Sequence, residues 1–245
     1  MPRLIIAALI ALCAAFPVGA AEFSTEQKAE IDAMIRAYIL ENPEILVEAM
    51  QVLEKRHQDQ TSSADRDKIA ASRDAIFDDG FSHVVGNPEG DVTVVEFLDY
   101  RCPYCKRAHE SVEALLEADS NVRVIVKEFP ILGPESTFAS RVAMAAMMQS
   151  STIYEDLNDA MMEHKGNLDE ATVFALAKDA GADIDRLRED MQSPEIAENI
   201  RRTYALAREL EINGTPGFII GDQILRGYAP YEQLHEMVEA ARSQG

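Results

Sequence analysis

Residues 92–110 read VTVVEFLDYRCPYCKRAHE, and the reading of this stretch decides the fold. Its first seven residues, Val92 to Leu98, are apolar, β-branched and short, the pattern of a strand buried on both faces. Cys102 lies just past the end of that strand, and Lys106 to Leu116 carries helical spacing. Val122 to Phe129 repeats the strand pattern. Strand, turn with two cysteines, helix and strand make a βαβ unit, so the domain is α/β.

Two thiols with only Pro103 and Tyr104 between them suit three roles. A closed zinc site needs four ligands, and the chain has no second cysteine pair; its five histidines, at 57, 83, 109, 164 and 235, show no paired spacing. A structural bridge closing so short a loop would hardly constrain the unfolded chain. The remaining role is a pair that opens and closes. Sulfur reacts as thiolate, and Cys102 at a helix N-terminus lies beside unpaired N–H groups and the positive end of the helix dipole, which lowers its pKa. Cys105, one turn in, is expected to be more buried and to resolve a mixed disulfide formed on Cys102.

Two features converge on the pair. Glu96 sits mid-strand among apolar residues, where a carboxylate is costly unless it has a partner or a task. It could exchange a proton with Cys105; strand alternation leaves a solvent-facing position as the alternative. Lys127 on the second strand is its candidate partner, or else a surface lysine. Gly214-Thr215-Pro216-Gly217 precedes a hairpin over 218–225 with a Gly221-Asp222 turn. Proline opening a strand is consistent with a cis bond in a tight turn or with an ordinary trans turn. The cis form would bare the Thr215 backbone for strand-like pairing with a substrate.

Outward from this centre, Arg3, the apolar run Leu4 to Phe16 and the small residues 18–21 read as a signal peptide over 1–21, too short to span a bilayer. The mature chain is therefore expected to be soluble and periplasmic, without Cys13. With 23 Lys+Arg against 43 Asp+Glu, a net charge of −20, there is no basic face for nucleic acid. Residues 22–60 read as an arm of two amphipathic helices, opened by a Ser24–Gln27 capping box and broken at Asn42-Pro43, with Asn42 capping the second. Ile31, Met34, Ile35 and Tyr38, then Leu46, Met50 and Leu53, form a stripe too wide for two short helices to bury alone, which favours self-association over packing in cis. Thr61-Ser62-Ser63 is expected to separate this arm from a linker or stalk helix within 61–80 and a main domain at 81–245. Residues 134–211 read as helices opening at Pro134, Asp169 and Pro194, and Tyr231 to Arg242 as the last helix.

Three motifs in this order, Val95-Glu96-Phe97-Leu98-Asp99-Tyr100 leading into Cys102-Pro103-Tyr104-Cys105, then Lys127-Glu128-Phe129-Pro130, then Gly214-Thr215-Pro216, resemble the DsbA family of exported thiol-disulfide oxidoreductases over about residues 83–243. The resemblance implies a thioredoxin fold with a helical domain inserted at about 133–212. It also implies a cis Pro216 facing the cysteines and Glu96 as the buried acid near Cys105. Pro103, Tyr104 and Thr215 are then the expected substrate contacts. With its arm, the chain is similar to the suppressor-of-copper-sensitivity C group, in which an added N-terminal segment holds several catalytic domains together. Tyr104 stands where the oxidases of the family carry His, so Cys102 is expected to be less extreme in acidity; Thr215 stands where they carry Val. Both departures point to a disulfide isomerase or reductase, with a DsbA-like dithiol oxidase as the alternative. The partners implied are protein thiols and disulfides, a membrane redox partner and further copies of the chain; no cofactor and no metal is expected. An alternative of another class is a copper-binding protein using the cysteine pair with thioethers from Met144, Met147, Met148, Met161 and Met162. At helical spacing among alanines, those methionines read first as packing residues.

Overall fold

The computed structural model describes residues 23–244; the signal-peptide reading of residues 1–21, Cys13 included, falls outside them. The chain divides into two compact units that meet in sequence at His57 and Gln58.

In the first unit, α1 (Thr25–Glu41) opens with the expected capping box, in which the Ser24 side chain accepts from the Gln27 N–H and the Gln27 side chain accepts from the Ser24 N–H. Asn42 corrects the sequence reading. Its Nδ2 donates to the Tyr38 carbonyl at 2.9 Å, so it closes α1. Then α2 (Glu44–Ala71) begins after Pro43. No side chain of α1 is buried, and Met34, Ile35, Tyr38, Leu46, Met50 and Leu53 are all exposed in the single chain.

The expected break at Thr61-Ser62-Ser63 is absent, because α2 runs through it without interruption. Three residues of modest helix propensity do not stop a helix whose flanks are rich in Glu, Gln, Lys and Ala. Nor is 61–80 a free stalk. Arg226 donates to both oxygens of the buried Asp65 at 2.8 Å, and Ile69 enters the core of the second unit.

That core is a five-stranded sheet of order β1-β3-β2-β4-β5. The strands are β1 (His83–Gly86), β2 (Val92–Leu98), β3 (Val122–Glu128), β4 (Gly217–Ile220) and β5 (Gln223–Arg226). β2 and β3 are parallel, joined by α4 (Pro103–Ala118) as the βαβ reading requires. β4 pairs antiparallel with β2 and β5 with β4. β1, antiparallel to β3, is an edge strand that the sequence reading missed.

Alternation along the central strands sorts their side chains onto two faces. Val92, Val94, Val122, Val124, Phe218 and Ile220 pack with Ala108, Val112 and Leu115 of α4 and with Leu234 and Val238 of α10 (Tyr231–Arg242). Val95, Phe97, Ile125 and Ile219 pack on the other face with Ile69, with Ile76 of α3 (Arg73–Phe77), and with Leu206 and Ala207 of α9 (Pro194–Glu209). The insertion between β3 and β4 adds α5 (Pro134–Gln149), α6 (Ser151–Glu163), α7 (Glu170–Asp179) and α8 (Ile184–Asp190). Met144, Tyr154, Leu157, Met161, Val173 and Leu187 bury there together, in a core that reaches Cys102 and Cys105. Three of the five methionines weighed as copper ligands, Met144, Met161 and Met162, are thus packing residues of this core.

Candidate active site

β2 delivers its C-terminal end to the start of α4, and Cys102 is the N-cap residue of that helix. Pro103 at the first helical position has no N–H to leave unpaired and holds φ in the helical range. The Cys102 Sγ lies 3.2 Å from the Thr215 carbonyl, across a cis Thr215–Pro216 peptide bond. The two elements are 113 residues apart in sequence, and the β2–β4 pairing brings them together. Both cysteines are free thiols.

The two sulfurs sit in opposed environments. Cys102 is pulled down to about 5, chiefly by the hydrogen bond from the Cys105 thiol. The Thr215 side chain and the N–H groups of Cys105 and Tyr104 assist, against the cost of burial. Cys105 is fully buried, and desolvation, reinforced by the Cys102 sulfur and the Glu96 carboxyl, pushes its thiol far up. Its Sγ accepts the Asp99 N–H at 3.5 Å.

Glu96 is 4% exposed and lies on the α4 face of the sheet, where its Oε1 has no hydrogen-bond partner. Burial raises its pKa to about 8, so the carboxyl is mainly protonated at neutral pH. Lys127 is not its partner. In the parallel register Glu96 faces Val126 while Lys127 stands beside Phe97, and alternation sends the two charged side chains to opposite faces. Lys127 is fully buried against Asp79 at 2.5 Å and the Ala75 carbonyl at 3.0 Å. Sequence spacing cannot show this, because Asp79 arrives from a different element.

Pro103 and Tyr104 are exposed at the rim, Tyr104 at 56%, and Thr215 is half-buried. The Arg107 guanidinium lies 5.7 Å from the Tyr104 ring centroid and 5.5 Å from that of Tyr228. Pro216 is buried.

Two buried acids that the sequence reading did not single out lie at the C-terminal ends of β2 and β3. Asp99 accepts the N–H groups of Arg101 and Leu132, each at 2.9 Å, and so ties the cysteine turn to the loop after β3. Glu128 accepts from Tyr100 at 2.6 Å and from Tyr154 at 2.9 Å, and Asn158 donates to the Tyr100 hydroxyl. Burial lifts Glu128 to about 7. Parity alone could not find it, because β3 is buried on both faces, Ile125 and Lys127 on the other parity included.

Comparison with known proteins gives this geometry a context. A family profile described as thioredoxin matches residues 78–240, and one described as the copper resistance protein ScsC N-terminal domain matches residues 27–60. A crystal structure of a thioredoxin-like oxidoreductase from Silicibacter pomeroyi is 45% identical, covering 70% of this chain and 98% of that one, at TM-score 0.68. A Proteus mirabilis ScsC linker-deletion mutant is 28% identical over 93% of this chain and all of its own, at TM-score 0.69. The thiol-disulfide exchange protein α-DsbA2 of Wolbachia pipientis is 29% identical over 73% of this chain and 96% of its own, also at 0.69. Among curated sequences, a Na⁺/H⁺ antiporter NhaA 1 of Salinispora arenicola is 31% identical over 161 residues, but the chain spans only 24% of that protein's length. A matched profile over most of the chain and solved relatives carrying both of its parts lead to one conclusion: the chain belongs to the thioredoxin-like family of thiol-disulfide oxidoreductases, of the DsbA/ScsC type.

Proposed function

We propose that the chain catalyses thiol-disulfide exchange on proteins in the periplasm, as an isomerase or reductase, with residues 22–60 joining several copies. The observation that carries this reading is the opposition of the two sulfurs: an acidic Cys102 against the Thr215 carbonyl, and a buried, strongly basic Cys105 beside a protonatable Glu96. The Cys102 thiolate attacks one sulfur of a substrate disulfide. A Cys102–substrate disulfide forms, the substrate S–S bond breaks, and the second substrate sulfur leaves as thiolate. In isomerisation, another substrate thiolate attacks the same linkage and returns Cys102. In reduction, Cys105 gives its proton to Glu96 in the minor fraction where that carboxyl is ionised and attacks Cys102; the Cys102–Cys105 disulfide forms and the substrate leaves reduced. Glu96 near 8 suits it to take and return that proton at neutral pH. Tyr104, Pro103 and Thr215 are the proposed contacts to the bound chain, and a membrane redox partner restores the pair.

One observation favours the oxidase alternative. A Cys102 pKa of about 5 lies between roughly 7 for thioredoxin and roughly 3.5 for a strongly oxidising DsbA. The less extreme acidity expected from Tyr104 is compatible with this value, yet a good leaving group also suits disulfide donation. Scrambled ribonuclease separates the two directions: reduced protein should restore activity, and its failure to do so would overturn the isomerase reading. The exposed apolar stripe of α1 and α2 supports self-association. Removing residues 22–60 should yield monomers with intact exchange, and an unchanged oligomeric state would remove the arm from that role.

A further inference from the structure

We infer that His109, Glu113 and Asp159 form a site for one divalent transition-metal ion, with zinc the best fit. The site lies on the seam between α4 and α6, and none of its three ligands is a group used above in exchange. His109 and Glu113 are one turn apart on α4, and Asp159 faces them from α6. Their donor atoms all lie within 4.8 Å of one another.

The spacing fits coordination better than hydrogen bonding. His109 Nε2 is 3.6 Å from Glu113 Oε1 and 3.4 Å from Asp159 Oδ1. Zinc bonds of roughly 2.0–2.1 Å in a tetrahedron put neighbouring ligands roughly 3.3–3.4 Å apart. Direct N–H···O bonds cluster at roughly 2.9–3.0 Å. Accordingly, His109 Nε2 has no hydrogen-bond partner although it is closed off from solvent, and the side chain as a whole is only 13% exposed. Such an orphaned buried imidazole nitrogen, aimed between two carboxylates, is what an ion would satisfy.

Charge and access agree. Asp156 and Glu163 add negative charge around Asp159. The nearby Lys106 ammonium is held by the carbonyls of Met161 and His164, each at 2.7 Å. One imidazole with carboxylates is a borderline donor set that suits zinc over calcium or magnesium. His109, Glu113 and Glu163 line a groove of about 540 Å³ that opens beside Pro103, so an ion can enter and keep a water or an incoming ligand in its fourth position. The absence of a second cysteine pair bears only on a closed four-ligand site, not on one with three protein ligands.

The test is calorimetric titration of zinc chloride into the full chain with Cys102 and Cys105 joined as a disulfide, so that no thiolate competes. One ion per chain is expected. His109→Gln and Asp159→Asn should each weaken binding by about tenfold or more, the scale on which coordination sites respond to disturbance. Glu110→Gln, on the same groove but outside the ligand set, should leave it unchanged. Zinc should raise the melting temperature of the parent chain and not of the two variants, and matching circular dichroism without metal would show that the variants fold. Absence of saturable binding, or binding that survives both substitutions in folded protein, would overturn the assignment.

Discussion

Replacing Glu96 by Gln should stabilise the reduced protein at neutral pH, and by an amount that depends on pH in a specified way. The Glu96 carboxyl rises from an ordinary 4.5 to about 8 on folding, because burial disfavours its charged form. Below pH 4.5 it is protonated in both states and costs nothing. Between about 4.5 and 8 the unfolded chain releases the proton and the folded chain keeps it, so stability falls as pH rises through this window. Above 8 both states are ionised and the loss is complete. At pH 7 the interval above 4.5 is about 2.5 units, which at about 1.36 kcal/mol per unit amounts to about 3 kcal/mol. Gln does not titrate, so Glu96→Gln should match the parent near pH 4 and exceed it by about 3 kcal/mol at pH 7. Urea unfolding of both reduced proteins, at one protein concentration and across pH 4–8, reads the difference directly. The other titrating groups, Glu128 and Cys102 among them, act in both proteins and largely cancel. A gap of equal size at pH 4 and pH 7, or a parent more stable than the variant at pH 7, would refute a buried, protonated Glu96. The same variant should accumulate the Cys102–substrate disulfide, because Cys105 loses its proton acceptor.

The alkylation rate of reduced protein should follow a titration centred near pH 5 and vanish in Cys102→Ser; a midpoint near 8.5, that of a free thiol, would contradict the site. Thr215→Val removes one of the side-chain hydrogen bonds to the sulfur and should move that midpoint upward. Because the thiolate is favoured in the folded state, the stability it lends to reduced protein should fade as pH drops from about 9 to about 5, and the closed disulfide should show no such loss. On the opposite face of the sheet, Lys127→Met leaves Asp79 buried without its cation and should cost about 3–5 kcal/mol in urea unfolding. A cost below about 1 kcal/mol would mean that Asp79 finds another partner or water.

How much could be read in advance follows from the range of the interactions. The β2 bounds, the ends of α10, the hairpin and the pause between α1 and α2 were legible, because each is written in a few neighbouring residues: β-branched runs, a capping box, a Gly-Asp turn, Asn-Pro. Strand alternation narrowed Glu96 to two answers, inward or solvent-facing, and its burial in the folded chain decided between them. β1 was not legible, because four residues ending in Gly86 carry little pattern and become a strand only by pairing with β3. The docking of Asp65 on Arg226 and of Ile69 in the core was not legible either, because their partners are distant in sequence.

The amino-acid order by itself determined the acidic sulfur's address, since a strand ending before Cys-Pro-Tyr-Cys and a following helix put Cys102 at unpaired N–H groups wherever the rest of the chain goes. Only the tertiary structure decided who meets whom: Thr215 with Cys102, Asp79 with Lys127, Tyr154 with Glu128, Asp159 with His109. Those pairings span 113, 48, 26 and 50 residues respectively. They are set by the register of the sheet and the seating of helices on its two faces, and a charged side chain carries no local mark of which distant partner will neutralise it.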